Sequence, residues 1–318
     1  MRKLSPKHIS ILILVLFIVI APLFFSSSYY FRVGALVFVN SLAVLGLVIL
    51  IGFVGQISLG HAGFIGIGAY ACAIAPKYLG IPVLAAALLG AVVSGAVAWI
   101  VGRPILKLKG YYLSVATLGF GILVSMVLTN EAWLTGGPDG MAVNDPGMNA
   151  MLKSWGFKFT NSEFWYAFSG LALVIGAIIA LNLQYSATGR ALHALHGSEV
   201  AARTVGVDVA QYKLKGFVIS AVYASFAGSL LAMQNRFITP DVSSFMHSVE
   251  IVTMAVLGGA GSVLGAVFGA TFLTALPQIL TFLQDYEQIV MGLIMMLVMI
   301  FLRDGVLPHL SRMLRGRG

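Results

Sequence analysis

The apolar positions of this chain fall into long blocks separated by short polar stretches. A helix that crosses a bilayer needs about 20 mostly apolar residues. Blocks at or near that length occupy 9–25, 33–51, 57–75, 81–101, 111–129, 164–182, 216–232 and 289–302. A further apolar stretch, 249–280, is too long for one crossing and is interrupted by Gly258, Gly259 and Gly261. It divides into two crossings, the first of them short. The pattern therefore predicts an all-α membrane protein of about ten transmembrane segments, with broken or short helices where glycines cluster.

Composition sharpens that picture. Of the 318 residues, 59% are hydrophobic and 9% are charged, whereas soluble domains carry about 25% charged residues. No stretch is left over for a soluble domain. The 36 glycines suit a bilayer, where small residues let helices approach closely. The single cysteine, Cys72, excludes an intrachain disulfide. The first block follows Arg2, Lys3 and Lys7 as a secretory signal would. Phe24-Phe25-Ser26-Ser27-Ser28 lacks the small-x-small pattern of a cleavage site, so the block is expected to stay as a membrane helix.

Charge orients the segments, because short cytoplasmic loops are rich in Lys and Arg. With the N-terminus inside, 14 of the 19 basic residues fall on the inner side and 5 on the outer. Of the 11 acidic residues, 3 fall inside and 8 outside. The net charge of +8 is thus a signal of topology, and nucleic-acid binding is not needed to explain it. Both termini are expected in the cytoplasm.

The same assignment gives a first five-helix half within 1–129, an outer loop at 130–163 and a second half at 164–302, inverted relative to the first. Each half has a glycine-dense interruption. One holds Gly52, Gly55, Gly60, Gly63, Gly66 and Gly68; the other holds Gly258, Gly259, Gly261, Gly265 and Gly269. Paired interruptions point to a transport path, because irregular backbone is tolerated where it lines a cavity. Close helix packing accounts equally well for any single glycine. The candidate path residues are Gln56, Ser58 and His61, joined by Thr253 and Glu250 from the other half. An amide, a hydroxyl and an imidazole at membrane depth are costly unless they face water or bond to a neighbouring helix.

The chain shows no catalytic signature. It lacks a His-Glu-x-x-His pair, a Gly-x-Ser-x-Gly elbow and any Gly-Lys dipeptide, so it has no phosphate-cradling P-loop. No catalytic residue, metal site or cofactor of its own is expected. Ion-coupled carriers usually place Asp, Glu or His inside their spans, and few occur here. An ion-coupled secondary carrier is the alternative from a different class. If ATP drives transport, another polypeptide hydrolyses it. The inner loop 184–212 is suited to receive that stroke. Ser198 is a good N-cap for a short helix over 199–205, Gly206 stops it and Asp208 caps the next. Glu199 and Arg203 stand four apart in the favourable order. An ordinary amphipathic connector would fit the same residues.

The run from Ala187-Thr-Gly-Arg190 to Glu199-Val-Ala-Ala-Arg203 and on to Gly206-Val-Asp208 resembles the coupling loop of ABC importer permeases. Gly55-Gln-Ile-Ser-Leu-Gly-His-Ala-Gly-Phe-Ile-Gly-Ile-Gly-Ala-Tyr70 is similar to the most distinctive stretch of the branched-chain amino acid family. Gly110–Gly119, Leu134–Gly140 and Leu257–Gly269 are similar to other stretches of its M-type (LivM-like) subunits. One departure is visible. His193 stands where the family commonly has Arg, and His196-Gly197-Ser198 replaces an Arg-Glu-Asn-like run. The resemblance implies a bacterial inner-membrane permease in a five-part importer for leucine, isoleucine or valine. Its partners would be a second, H-type permease, two cytoplasmic ATPase subunits that bind the ATP, and a periplasmic substrate-binding protein. Arg190, Glu199, Arg203, Gly206 and Asp208 would couple to the ATPase. Urea or short amides are the alternative solutes.

Overall fold

The computed structural model describes residues 6–149 and 159–279, together with 289, 292, 293, 296, 297, 300, 305 and 306. It is built from helices. α1 (Pro6–Ile20) runs into a 3-10 turn at Ala21–Phe24, and α2 (Ser28–Val48) ends in a π-helical turn at Ile49–Val54. α3 (His61–Leu79), α4 (Val83–Ile105) and α5 (Tyr111–Asn130) complete the first part. The second contains α6 (Asn161–Tyr185), α7 (Ala187–Gly197), α8 (Glu199–Thr204), α9 (Val209–Asn235), α10 (Phe245–Gly258) and α11 (Val263–Ile279). Hydrocarbon cannot satisfy backbone N–H and C=O groups, so apolar blocks of this length become helices.

Seven of the described helices are long and apolar enough to cross a membrane, α10 and α11 being shorter. This is a multi-pass membrane protein. The apolar stretch 249–280 does divide at Gly259, whose φ of 98° ends α10. The expected segment 289–302 lies largely outside the described residues. Several helix ends differ from the expected block ends, as where α9 starts at Val209 and not at 216, and one difference bears on the site. The block beginning at 57 is helical only from His61, and residues 55–60 are irregular.

α2, α3 and α9 form the centre. α9 packs on α2, α3 and α4, while α2 also packs on α6 and α11. Buried residues make up 83% of the α2 span and 78% of α9, against 22% of α5 and 6% of α1. Lipid offers helices no hydrophobic drive to associate, so close packing and interhelical hydrogen bonds must hold the centre. At the α3–α9 crossing, a side chain on Gly68 would collide with the Ser225 carbonyl, and one on Gly228 with that of Ile65. Ser229 Oγ donates to the Gly68 carbonyl at 3.0 Å across the same contact. Tyr223 Oη donates to Gly176 O at 2.7 Å, and Asn40 Nδ2 to Thr274 Oγ1 at 2.9 Å.

The end expected outside is tied together by its loops. β1 (Met141–Ala142) pairs antiparallel with β2 (Phe237–Ile238). Arg236 forms an ion pair with Asp145 beside them, and Tyr78 Oη donates to Trp133 O at 2.6 Å.

Candidate coupling and translocation sites

The loop between α6 and α9 is built from local capping signals. Ser186 Oγ accepts from Gly189 N at 3.0 Å and starts α7. Ser198 Oγ accepts from Ala201 N at 3.3 Å and starts α8. Gly206 turns the chain with φ 82°, and Asp208 Oδ1 accepts from Gln211 N at 3.1 Å to start α9. Each cap satisfies an orphan N–H that the first helical turn leaves open. Leu195, Ala202 and Val209 pack under the two short helices as a small apolar cluster. Arg190 Nη1 donates to Tyr185 O at 3.3 Å.

The ion pairing differs from expectation. Glu199 pairs with Lys213 on α9, not with Arg203 one turn along. The Lys213 side chain is 6% exposed, and a desolvated ammonium requires a counter-ion. Arg203 is left exposed. Val200 and Val205, which the sequence did not single out, are each 75% exposed at the tip of the loop. Val200 lies on α8 and Val205 directly after it.

The loop rests on the end of α2. The Phe53 and His193 rings lie 4.7 Å apart between centroids, and His196 packs against Gly55. Partial desolvation in this setting, with His196 a second influence, holds the His193 imidazole below its usual value.

At the glycine-rich break, α2 stops at Gly55 (φ 76°), and the chain climbs back along α2 before α3 begins. His61 Nε2 lies 3.1 Å from the Ala43 carbonyl, halfway along α2. The irregular segment is held from a distance. Leu59 N donates to Thr117 Oγ1 at 3.1 Å, and Ser114 Oγ donates to Ile57 O at 3.3 Å, both from α5. Ala62 N donates to Ser248 Oγ on α10 at 3.1 Å. A side chain on Gly52 would strike the Ala260 carbonyl, so the two glycine interruptions meet backbone to backbone.

The five candidate path residues are not gathered into one hydrogen-bonded cluster. His61 spends its contact on α2. Thr253 Oγ1 bonds its own helix at Val249 O, 2.8 Å away, and Glu250 pairs with His247 at 3.2 Å. Gln56 and Ser58 stand apart from these. They are 5% and 2% exposed, and Gln56 Oε1, Gln56 Nε2 and Ser58 Oγ have no hydrogen-bond partner among the described residues. Buried polar atoms without partners are uncommon and costly.

Comparison with known proteins identifies the family. Residues 29–299 match the family model described as branched-chain amino acid transport system / permease component. The chain is 32% identical over 282 residues to the high-affinity branched-chain amino acid transport system permease protein LivM of Salmonella typhimurium, covering 83% of this chain. It is 31% identical to LivM of Escherichia coli over the same length. The chain spans 66% of the length of these two relatives. It is also 26% identical over 204 residues to the autoinducer 2 import system permease protein LsrC of Salmonella paratyphi B, covering 62% of this chain and 55% of that protein. No solved structure matches. The chain belongs to the family of branched-chain amino acid transport system permease components.

Proposed function

We propose that the chain is the channel-forming permease of a binding-protein-dependent ABC importer for leucine, isoleucine or valine. The observation that carries this reading is the family match over 29–299, and the capped, apolar-tipped helix α8 supports it. Two ATPase subunits bind ATP and pull on α8, and a second, H-type permease completes the pore. A periplasmic binding protein delivers the solute. The chain sits in the bacterial inner membrane with ten spans in two inverted halves and both termini cytoplasmic. Arg190, Glu199, Arg203, Gly206 and Asp208 form the ATPase-coupling set, and the path runs past Gln56 and Ser58, with His61, Thr253 and Glu250 as its further candidates.

Uptake of labelled leucine, isoleucine, valine and urea, in cells with and without the chain, tests the solute. Loss of branched-chain uptake alone is expected, and loss of urea uptake alone would overturn the assignment. Arg203→Glu should abolish uptake with membrane insertion intact; normal uptake in that variant would count against α8 as the coupling helix. For the path, Gln56→Leu should lower transport while raising thermal stability, since an apolar isostere removes unpaired buried atoms. A cysteine at Ser198 should resist an impermeant thiol reagent on intact cells while one at Asn149 reacts. The reverse pattern would refute the orientation.

A further inference from the structure

A strongly basic cleft lies beside α8, at the end of the molecule opposite the β1–β2 pair. It has a volume of about 520 Å³ and opens between the C-terminal end of α4, α8 and the start of α9. Five cationic side chains line it: Arg103, Lys107, Lys109, Arg203 and Lys213. The one carboxylate in its lining, Glu199, is already engaged by Lys213. Lys107, Lys109 and Arg203 make no ion pair among the described residues. Like charges converging in this way repel one another and set up a positive potential that an anion would relieve.

The setting specifies the anion further. Arg103 is the first charge after the apolar run of α4, and Lys213 lies just over one turn into α9. Both helices are long and apolar enough to cross the membrane, so these cations sit at the level of its polar interface. Arg103 stacks on the Trp99 ring at 3.6 Å. Trp99 is 47% exposed and its neighbour Ile100 61%, a side facing hydrocarbon, with the indole placed as interfacial aromatics are. The cleft itself also has apolar walls, from Leu106, Val209 and Leu214. A free anion has no use for apolar walls or for the exposed apolar face of Trp99 and Ile100 beside them. An anionic phospholipid uses both, with its phosphate among the cations and its acyl chains along Trp99 and Ile100.

The geometry points to a binding site for an anionic glycerophospholipid, its phosphate held by Arg103, Lys107, Lys109 and Arg203. The lipid bridges α4 to α8 and so braces the loop on the side away from α2. This site is separate from the solute path, and it stands whichever solute is carried.

The test uses the full chain purified in detergent and titrated with phosphatidylglycerol or phosphatidylcholine, with bound lipid counted by native mass spectrometry. Phosphatidylglycerol should be retained selectively. The triple variant Arg103→Gln/Lys107→Gln/Lys109→Gln should bind it on the order of a hundredfold more weakly, at about fivefold per charge removed. Lys107→Arg/Lys109→Arg should keep it, as should Arg32→Gln/Lys77→Gln at the opposite end, which controls for loss of fold. Equal retention of phosphatidylcholine, or full retention by the triple variant, would overturn the site. Displacement by inorganic phosphate would make it a free-anion site. Lipid release on adding the ATPase subunits, with Lys107 cross-linking to an acidic surface on them, would make it a protein-docking face. Either result would overturn the lipid assignment.

Discussion

The chain turns between helices in two contrasting ways at the end that carries α7 and α8. In 186–208, each helix start is capped by a side chain close by in sequence: Ser186, Ser198 and Asp208. In 55–60, no side chain caps the start of α3. The supports come from Ser114 and Thr117 on α5, about 57 residues away, and from Ser248 on α10, 186 residues from Ala62. The first loop can form as soon as its own residues do. The second exists only once two other helices are in place. A connector stable in its own right can move as a unit, whereas a connector held by its surroundings has to follow them.

The sharpest way to break that contrast is to add one methyl group to each loop region. Gly52→Ala drives a Cβ into the Ala260 carbonyl, which is backbone and cannot swing aside. It should cost about 3 kcal/mol or more and lower thermal stability strongly in detergent. Gly197→Ala, at the end of α7, meets nothing within 4 Å and should be close to neutral. Equal effects at the two positions would remove the distinction.

A smaller effect is expected at the ion pair that fastens α8 to α9. Glu199→Ala leaves Lys213 desolvated and unpaired, at a cost of about 2 kcal/mol, below the range for a fully buried pair because Glu199 is 33% exposed. The double variant Glu199→Ala/Lys213→Met should recover most of that loss, because it removes both charges. A double variant no better than the single one would show that the pair has little influence.

Next come the hydrogen-bonded supports. Thr117→Val and Ser198→Ala should each cost about 1 kcal/mol, but the reach of the damage should differ. Hydrogen exchange should rise only across 199–205 in Ser198→Ala. In Thr117→Val it should rise at 57–62 and along α5 as well. Confinement of the second response to 57–60 would mean that this segment is locally encoded after all.

The smallest effect concerns acidity. The His193 imidazole is held below its ordinary value of about 6.5, so the folded loop disfavours protonation of this ring. The contribution is intact above that pH and is lost as pH falls below it toward the lowered folded value. The protection of α7 amides, corrected for the slower intrinsic exchange in acid, should therefore fall as pH drops below about 6.5, and His193→Gln should flatten the response. An unchanged slope in that variant would assign the response to another group.

What the sequence revealed follows the same division. The caps at Ser198 and Asp208 and the stop at Gly206 were legible because each acts within three or four residues. The lengths of the apolar blocks likewise announced most of the helices, and the glycines at 258–261 announced the division of 249–280. The start of α3 was not legible. Residues 57–60 run without a break into the apolar block of α3, and the contacts of Leu59 and Ile57 with α5 appear in no local window. Lys213 was missed as the partner of Glu199 because pairing was sought along one helix and not across two. Val200 and Val205 carried no signal, since a valine's exposure depends on what stands around it.

The scant burial of α1 has a consequence for how its sequence can change. With 6% of its span buried, α1 leaves most of its apolar side chains on the surface, and hydrocarbon there would not distinguish Leu from Ile, Val or Phe by shape. Exchanges among these residues should drift almost freely there. Its fixed points include the Ile18 carbonyl that accepts from Tyr166 Oη at 2.8 Å, Lys7 bonded to Asn182, and Leu14, which is buried in the core. In α2, by contrast, most positions from Ala35 onward are buried among close-packed neighbours that limit what can replace them. The family match begins at residue 29, one residue into α2. Random mutagenesis scored for uptake should record a step in the density of tolerated substitutions a few residues further on, where the buried part of α2 begins at Ala35.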